Sequence, residues 1–271
     1  MKKKGSMLSK VYMALVFIFM YAPIVLLIIF SFNNSKSRAV WHGFTLKWYR
    51  SLIHNDTIIH ALEVTLAVSI LAAVIATILG TLAALGIFAM KRRPRQLMMG
   101  ANNIPMMNPD IIFGVSLMLM FIFMAHSMHL QAFRLGFLTL LLAHITFNTP
   151  YVILSVMPRL RQMDQKQYEA ARDLGASNIQ AFRYVVLPQI KSGIITGLIL
   201  SFTMSIDDVV VSYFTSGPTT ETLGVIIFGM TRKRISPEIN ALCTIMFVVV
   251  LLLLLLINLR ELRDNGEEFE Q

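Results

Sequence analysis

Apolar runs of about twenty residues recur along this chain, separated by polar connectors. A helix of about 20 residues, rising 1.5 Å per residue, crosses a hydrocarbon layer of about 30 Å. Backbone groups in lipid must bond within their own segment, so isolated strands cannot do the same. The pattern therefore predicts an all-α membrane protein with six transmembrane helices, at 11–32, 62–89, 97–125, 137–157, 192–214 and 241–259. The connectors are 33–61, 90–96, 126–136, 158–191 and 215–240, followed by a tail at 260–271. None has the make-up of a separate soluble domain, so residues 1–271 read as one membrane domain. The first run follows Lys2, Lys3 and Lys4 but is too long for a signal peptide and lacks a small-residue cleavage site; it reads as a retained helix.

Several segments depart from the simple pattern. In the third span Asn102, Asn103, Pro105, Asn108, Pro109 and Asp110 interrupt the apolar run, and 111–125 alone is too short to cross. Extending it back to Leu97 gives a full crossing with Asp110 near its middle. Residues 44–53 alternate aromatic and basic positions at helical spacing, which predicts an interfacial helix with Trp41 and Trp48 at headgroup level. Residues 221–230 are apolar but only ten long, fitting a surface or re-entrant helix. Asn148-Thr149-Pro150 predicts a bend in the fourth span.

Composition agrees with the pattern. Hydrophobic residues make up 56% of the chain and charged residues 14%, against about 25% charged in soluble domains. The net charge of +9 is assigned to topology rather than to nucleic acid. With the amino terminus inside, sixteen Lys and Arg fall in inside segments and eight in outside ones. That bias places both termini and the 158–191 connector in the cytoplasm. The single cysteine, Cys243, sets up no disulfide framework.

The connector from Arg159 to Lys191 is too long for a simple turn. Residues 165–174 are good helix formers, and Gly175 can end that helix in a left-handed conformation. Ser177 and Gln180 fit a capping box that opens a second short helix, with Ile179, Phe182 and Val186 on one face. Pro188 suits the first turn of the next span. Ala170 and Ala171 leave a flat patch beside Glu169 that a partner could approach closely.

These residues carry a resemblance. Glu169-Ala170-Ala171, Gly175 after three more residues, and Leu187-Pro188 after a further eleven resemble the EAA loop of permease subunits in binding-protein-dependent ABC importers. The loop's position between spans four and five matches as well. Segments 43–49, 107–114, 143–152, 169–177 and 201–218 are similar to polyamine (spermidine/putrescine) importer permeases, so the likeness covers nearly the whole chain. The resemblance implies a multi-pass protein of the bacterial inner membrane. Its partners would be a second homologous permease, a homodimeric cytoplasmic ATPase and an external polyamine-binding protein. It further implies that Glu169, Ala170, Ala171, Asp173, Gly175, Leu187 and Pro188 dock in a groove of the ATPase and pass its motion to the membrane. No G-x4-G-K-[ST] stretch occurs, so ATP and Mg would be bound by the ATPase and this chain would hold no cofactor. The chain would be a transport subunit and not an enzyme; no nucleophile–base set is evident.

Ionisable groups inside spans are rare and usually functional. Asp110, Asp207 and Asp208 qualify. Ser201, Ser205, Asp208 and Ser212 share a stripe on the fifth span, with Asp208 roughly 25 Å from its inner end and above Asp110. The substrate path is expected to include Asp110, Asp208, Asp207, Ser205 and Tyr213, suited to a cargo with several ammonium groups. Alternatively these carboxylates cap broken helices or pair with buried cations. Tyr151, Tyr213 and Phe214 could add cation–π contacts, or simply pack. The eighteen Met residues scatter as packing side chains, and His126-x-x-His129 lacks further ligands, so no metal site is expected. Within the same family another small cargo is the alternative. A standalone ion-coupled transporter would leave residues 159–191 without a role.

Overall fold

Helix is the only regular structure that satisfies its own backbone in lipid, and a computed structural model of the chain is built almost wholly from it. It describes residues 7–35, 40–233 and 237–268. The helices are α1 (Met7–Ser31), α2 (Lys47–Ile53), α3 (Asp56–Ala89), α4 (Arg92–Met107), α5 (Asp110–His126), α6 (Phe137–Gln162), α7 (Gln165–Asp173), α8 (Asn178–Ala181), α9 (Leu187–Asp207), α10 (Val210–Thr215), α11 (Leu223–Lys233) and α12 (Pro237–Glu268). A 3-10 turn spans Gln131–Phe133 and a π turn Phe182–Val186. Among the described residues the sole β-type pairing is an isolated bridge, Asn33 to Phe44.

The chain packs as two units, residues 1–59 with 229–271, and residues 60–228. In the first, α1 lies against α12 and α12 against α2. Nearly every side chain of α1 is exposed, as expected of a helix that faces lipid or another subunit. Asn33 organises the segment after α1. Its Oδ1 accepts the His42 N–H at 2.9 Å, its Nδ2 donates to the Val40 carbonyl at 2.8 Å, and its own carbonyl accepts Trp48 Nε1–H at 2.8 Å. Phe32 stacks on both Phe44 and Tyr49. Trp48 is thus buried within the fold, and its indole N–H finds a backbone carbonyl instead of water. Trp41 remains exposed.

The second unit is built around α6. His144, Asn148, Val152, Val156 and Leu160 recur every four residues on α6 and are all buried. Small residues let the neighbours come close, as in membrane helix pairs generally. Gly193 and Gly197 on α9, four apart, leave room only for hydrogen: an added Cβ would lie 2.8 Å from the Ser155 carbonyl oxygen at the first and 3.2 Å from Val152 Cγ1 at the second. On α3, a Cβ at Gly80 would lie 2.6 Å from Val152 Cβ. Val152 is therefore wedged between the backbones of two other helices. Leu223 N–H donates to Thr65 Oγ1 at 2.8 Å, tying the start of the half-buried α11 to α3.

Two expected spans are not straight. α4 and α5 meet at a 100° bend, where Asn108 and Pro109 are extended; a residue before proline is pushed out of the α region. The expected straight crossing over 97–125 is therefore a broken one, and Asp110 opens α5 rather than lying mid-helix. The expected 192–214 span ends at Asp207, and the chain restarts as α10 after an extended Asp208. α6 runs without interruption through Pro150. Among the described residues four helices are long and apolar enough to cross a membrane, five if the bent pair counts as one span.

A Gly193→Leu substitution should force α9 away from α6. Overpacking of this kind costs about 1–3 kcal/mol, so the thermal midpoint of the purified protein should fall measurably. Gly86→Ala, where nothing lies within 4 Å of the added Cβ, should not lower the midpoint, because alanine is the better helix former.

Candidate functional site

The two helix breaks come together. A cavity of about 410 Å³ is lined by Pro105 and Met106 of α4, Asp110 and Phe113 of α5, Phe147 and Tyr151 of α6, Met204 and Asp207 of α9, and the connection Asp208–Val211. All three carboxylates picked out in the sequence border it, and no Lys or Arg does. Asp110 and Asp207 are exposed. Asp208 is not separated from Asp110 along the path, as a straight fifth span would have it, because both lie at breaks that abut one cavity.

Asp208 has a structural task as well. Its carboxylate accepts the backbone N–H of Val211 at 3.3 Å and of Ser212 at 2.7 Å. These are the groups that the start of α10 leaves unsatisfied. Behind it, His144 is wholly buried, with Nε2 at 3.1 Å from Ser212 Oγ and 3.7 Å from Asp208 Oδ2. The His144 ring leans on Phe147, centroids 5.0 Å apart. The helix-capping alternative therefore holds for Asp208, alongside its place on the cavity wall.

The serine stripe faces elsewhere. Ser201, Ser205 and Ser212 are buried against α6, and Ser205 Oγ accepts Asn148 Nδ2–H at 2.7 Å. Ser205 is thus a packing partner rather than a cavity residue: polar groups at i, i+4 spacing bind the opposing helix as readily as water. Tyr213 also lies outside the cavity, its ring edge-on to Phe214 at 5.4 Å. Phe214 covers Gly114, where an added Cβ would meet its ring at 3.0 Å. Of the candidate aromatics Tyr151 alone lines the cavity, joined by Phe113 and Phe147. His144 has no place in the sequence expectations and Asn148 only that of a bend; a histidine and an asparagine four apart on an apolar span were the available signal.

The polar connector folds as its residues predict. Asp164 caps α7 through the Lys166 N–H at 3.0 Å. Gly175 has φ +88°, its N–H donates to the Arg172 carbonyl, and the Ala176 N–H donates to that of Ala171, both at 3.0 Å. This pair of bonds is the Schellman closure of a helix. Ser177 and Gln180 form the reciprocal capping box at 2.8 and 3.3 Å. One detail differs. Ile179 points out, 78% exposed, while Phe182 and Val186 pack inward against the α6–α9 core. Ile179 precedes the π turn at 182–186, across which Phe182 and Val186 both stay inward. Glu169, Ala170 and Asp173 are exposed, as are the apolar Leu174 and Tyr184.

Spans broken around an acidic cavity, with a capped helical hairpin projecting apolar and acidic side chains, define a membrane transport component. The chain belongs to the family of binding-protein-dependent transport system inner membrane components, whose model matches residues 76–260. It is therefore a multi-pass inner-membrane permease subunit and not an enzyme. It is 38% identical over 251 residues to the spermidine/putrescine transport system permease protein PotC of Escherichia coli K12, covering 93% of this chain and 92% of that one. Its identity to the PotC of Haemophilus influenzae is 40% over 258 residues, 95% of this chain and 98% of the relative. To the putrescine transport system permease protein PotI of Escherichia coli K12 it is 41% over 240 residues, 86% and 83%. A bacterial ABC transporter that imports the acidic polysaccharide alginate shares the fold, with a TM-score of 0.71 at 13% identity over 93% of this chain and 94% of that one. So does the alginate transporter in complex with its pentasaccharide-bound periplasmic protein, with a TM-score of 0.73 at 18% identity over 92% and 91%.

The cap at Asp208 can be separated from its charge. Asp208→Asn keeps a capping oxygen and should leave thermal stability nearly unchanged. Asp208→Ala strands the Val211 and Ser212 N–H groups and should destabilise the protein by about 1 kcal/mol, read as a lower unfolding midpoint in the same detergent.

Proposed function

We propose that this chain is a permease subunit of an ATP-driven importer for polyamines such as spermidine and putrescine. The observation that carries this reading is the 38–41% identity, over most of the chain, to permeases of spermidine and putrescine transport. The cavity supports the same cargo. Three carboxylates with no lining Lys or Arg replace the water that an ammonium group gives up on entering a pore. The rings of Phe113, Phe147 and Tyr151 offer faces to the cation and wall its methylene chain. Asp110 and Asp207, exposed and not used as helix caps, are the groups most available to the cargo.

In this reading the chain crosses the membrane six times with both termini in the cytoplasm. It forms the path with a second permease, receives cargo from an external binding protein and couples to a homodimeric ATPase that binds ATP and Mg. The α7–α8 hairpin is the coupling element. Glu169, Ala170 and Asp173 offer an exposed acidic and small surface, and Gly175 fixes the turn. Leu187 and Pro188 set the hairpin on α9, which packs along α6 and ends at the cavity. Closure of the ATPase dimer would thus move the end of α9 where Asp207 and Asp208 stand.

Two measurements test the reading. Asp110→Asn and Asp207→Asn should each lower the rate of radiolabelled spermidine uptake about tenfold, the scale of one lost contact to a charged group, with membrane abundance unchanged. Normal uptake in both would remove the cavity from the path. Glu169→Lys should abolish copurification of the ATPase and ATP-driven uptake while the chain still inserts. Undiminished uptake in that variant would remove the hairpin from coupling.

A further inference from the structure

A second cavity, of about 340 Å³, opens between the start of α4 and the end of α6. It is lined by Arg92, Arg95, Gln96, Met99 and Arg161. Three arginines line it, with Arg92 and Arg161 exposed at its edge and a lining that is mostly apolar, and among the described residues no carboxylate lies within 4 Å of any of them. Lys91 and Arg93 add to the same basic stretch.

Arg95 is held in place from the other side. Its Nη2 donates to the carbonyls of Phe88 and, at 3.0 Å, Met90, and its guanidinium lies 5.0 Å from the centre of the Phe88 ring. These contacts satisfy carbonyls that the end of α3 leaves open. They also fix a cation whose Nε is buried and has no partner. The first turn of α4 is open too. No side chain caps it, and Pro94 has no N–H, so the Arg92 and Arg93 N–H groups and the helix dipole favour an anion there. Met99, one turn after Arg95 on the same face of α4, packs against the core cluster that contains Val156, Leu160 and Ile190. The cavity thus combines a cationic rim with an apolar wall at the point where apolar helices give way to polar connectors.

We propose that this cavity binds the phosphate of an anionic phospholipid such as phosphatidylglycerol, with Arg92 and Arg161 as its ionic contacts. Basic pockets between membrane helices suit such headgroups. Planar guanidinium groups match phosphate oxygens two at a time. Met99 meets the upper part of the acyl chain. The lipid bridges α4 to α6 and stands one side chain from Met163, Tyr168 and Phe182, which pack on the same cluster. It therefore supports the base of the α7–α8 hairpin.

The test is native mass spectrometry of the full-length protein in detergent, titrated with phosphatidylglycerol or phosphatidylcholine. Wild type should retain one phosphatidylglycerol at concentrations where phosphatidylcholine is lost. Each charge near the surface contributes a factor of about five, so Arg161→Gln should weaken that binding roughly fivefold and Arg92→Gln with Arg161→Gln roughly 30-fold. Arg183→Gln with Lys191→Gln removes the same net charge elsewhere and should leave it intact. Inorganic phosphate that raises the unfolding midpoint of wild type, but not of the Arg92/Arg161 pair, would support the same site with a soluble phosphate as occupant. Equal lipid binding by wild type and the Arg92/Arg161 pair overturns the proposal. So does equal loss in the control pair, which means bulk charge, or stabilisation seen only on adding the ATPase, which means a protein contact.

Discussion

Everything in the 60–228 unit depends on how closely α9 and α3 approach α6. At Gly193, Gly197 and Gly80 the contact is made by backbone against side chain, with no Cβ between. Such contacts matter more in a membrane than in water, because lipid tails are as apolar as the helix surfaces and burial alone gives little drive to associate. Tight packing and internal hydrogen bonds must supply it. The Asn148–Ser205 bond and the His144–Ser212 contact lie on this α6 interface. They hold α9 and α10 against one helix, and that fixes where the chain between them can go.

A broken helix normally exposes backbone donors and acceptors, which lipid cannot satisfy. Here the break at 208 is closed by its own aspartate, whose carboxylate takes two N–H groups of α10. The break at 108–109 is made by a proline and its predecessor, and Pro109 needs no partner for a donor it lacks. Both breaks face one cavity. Non-helical backbone at such a place is tolerated where protein buries it or a wet cavity receives it, so the cavity is as much a condition of the breaks as a result of them.

The hairpin after α6 was legible in the sequence because its signals are local: Asp164 before the helix, Gly175 after it, Ser177 three before Gln180, and Pro188 at the next start. Each specifies its own turn without help from the rest of the fold. The long runs of α1, α3 and α6 were legible for the same reason, since length and apolarity need no partner to be read. What was not legible depends on contacts distant in sequence. No Gly or Pro marks the end of α9, so the break at Asp208 reads as uninterrupted helix. The buried serines resemble a water-facing stripe until Asn148 and His144 are set against them. Trp48 gives no sign in the sequence of the Asn33 carbonyl that takes its N–H, and Ile179 shares a helical face with Phe182 by spacing, yet only Phe182 finds the core to pack against. The three carboxylates stand out in the sequence as a group, since an acid in an oily run is conspicuous. Their convergence required both breaks.

Division of labour among those carboxylates follows from their partners. Asp208 already holds two N–H groups and lies beside a buried imidazole, so part of its charge is answered within the protein. Asp110 and Asp207 are exposed at the mouths of their helices and have no such answer among the described residues. Asp207 stands at the C-terminal end of α9, where the dipole opposes a negative charge. A cation entering the cavity relieves that repulsion most at Asp207. A cargo with ammonium groups spaced along a flexible chain can relieve it there while a second group meets Asp110. In the proposed reading, two carboxylates free of caps on one cavity wall suit a cargo that carries more than one charge.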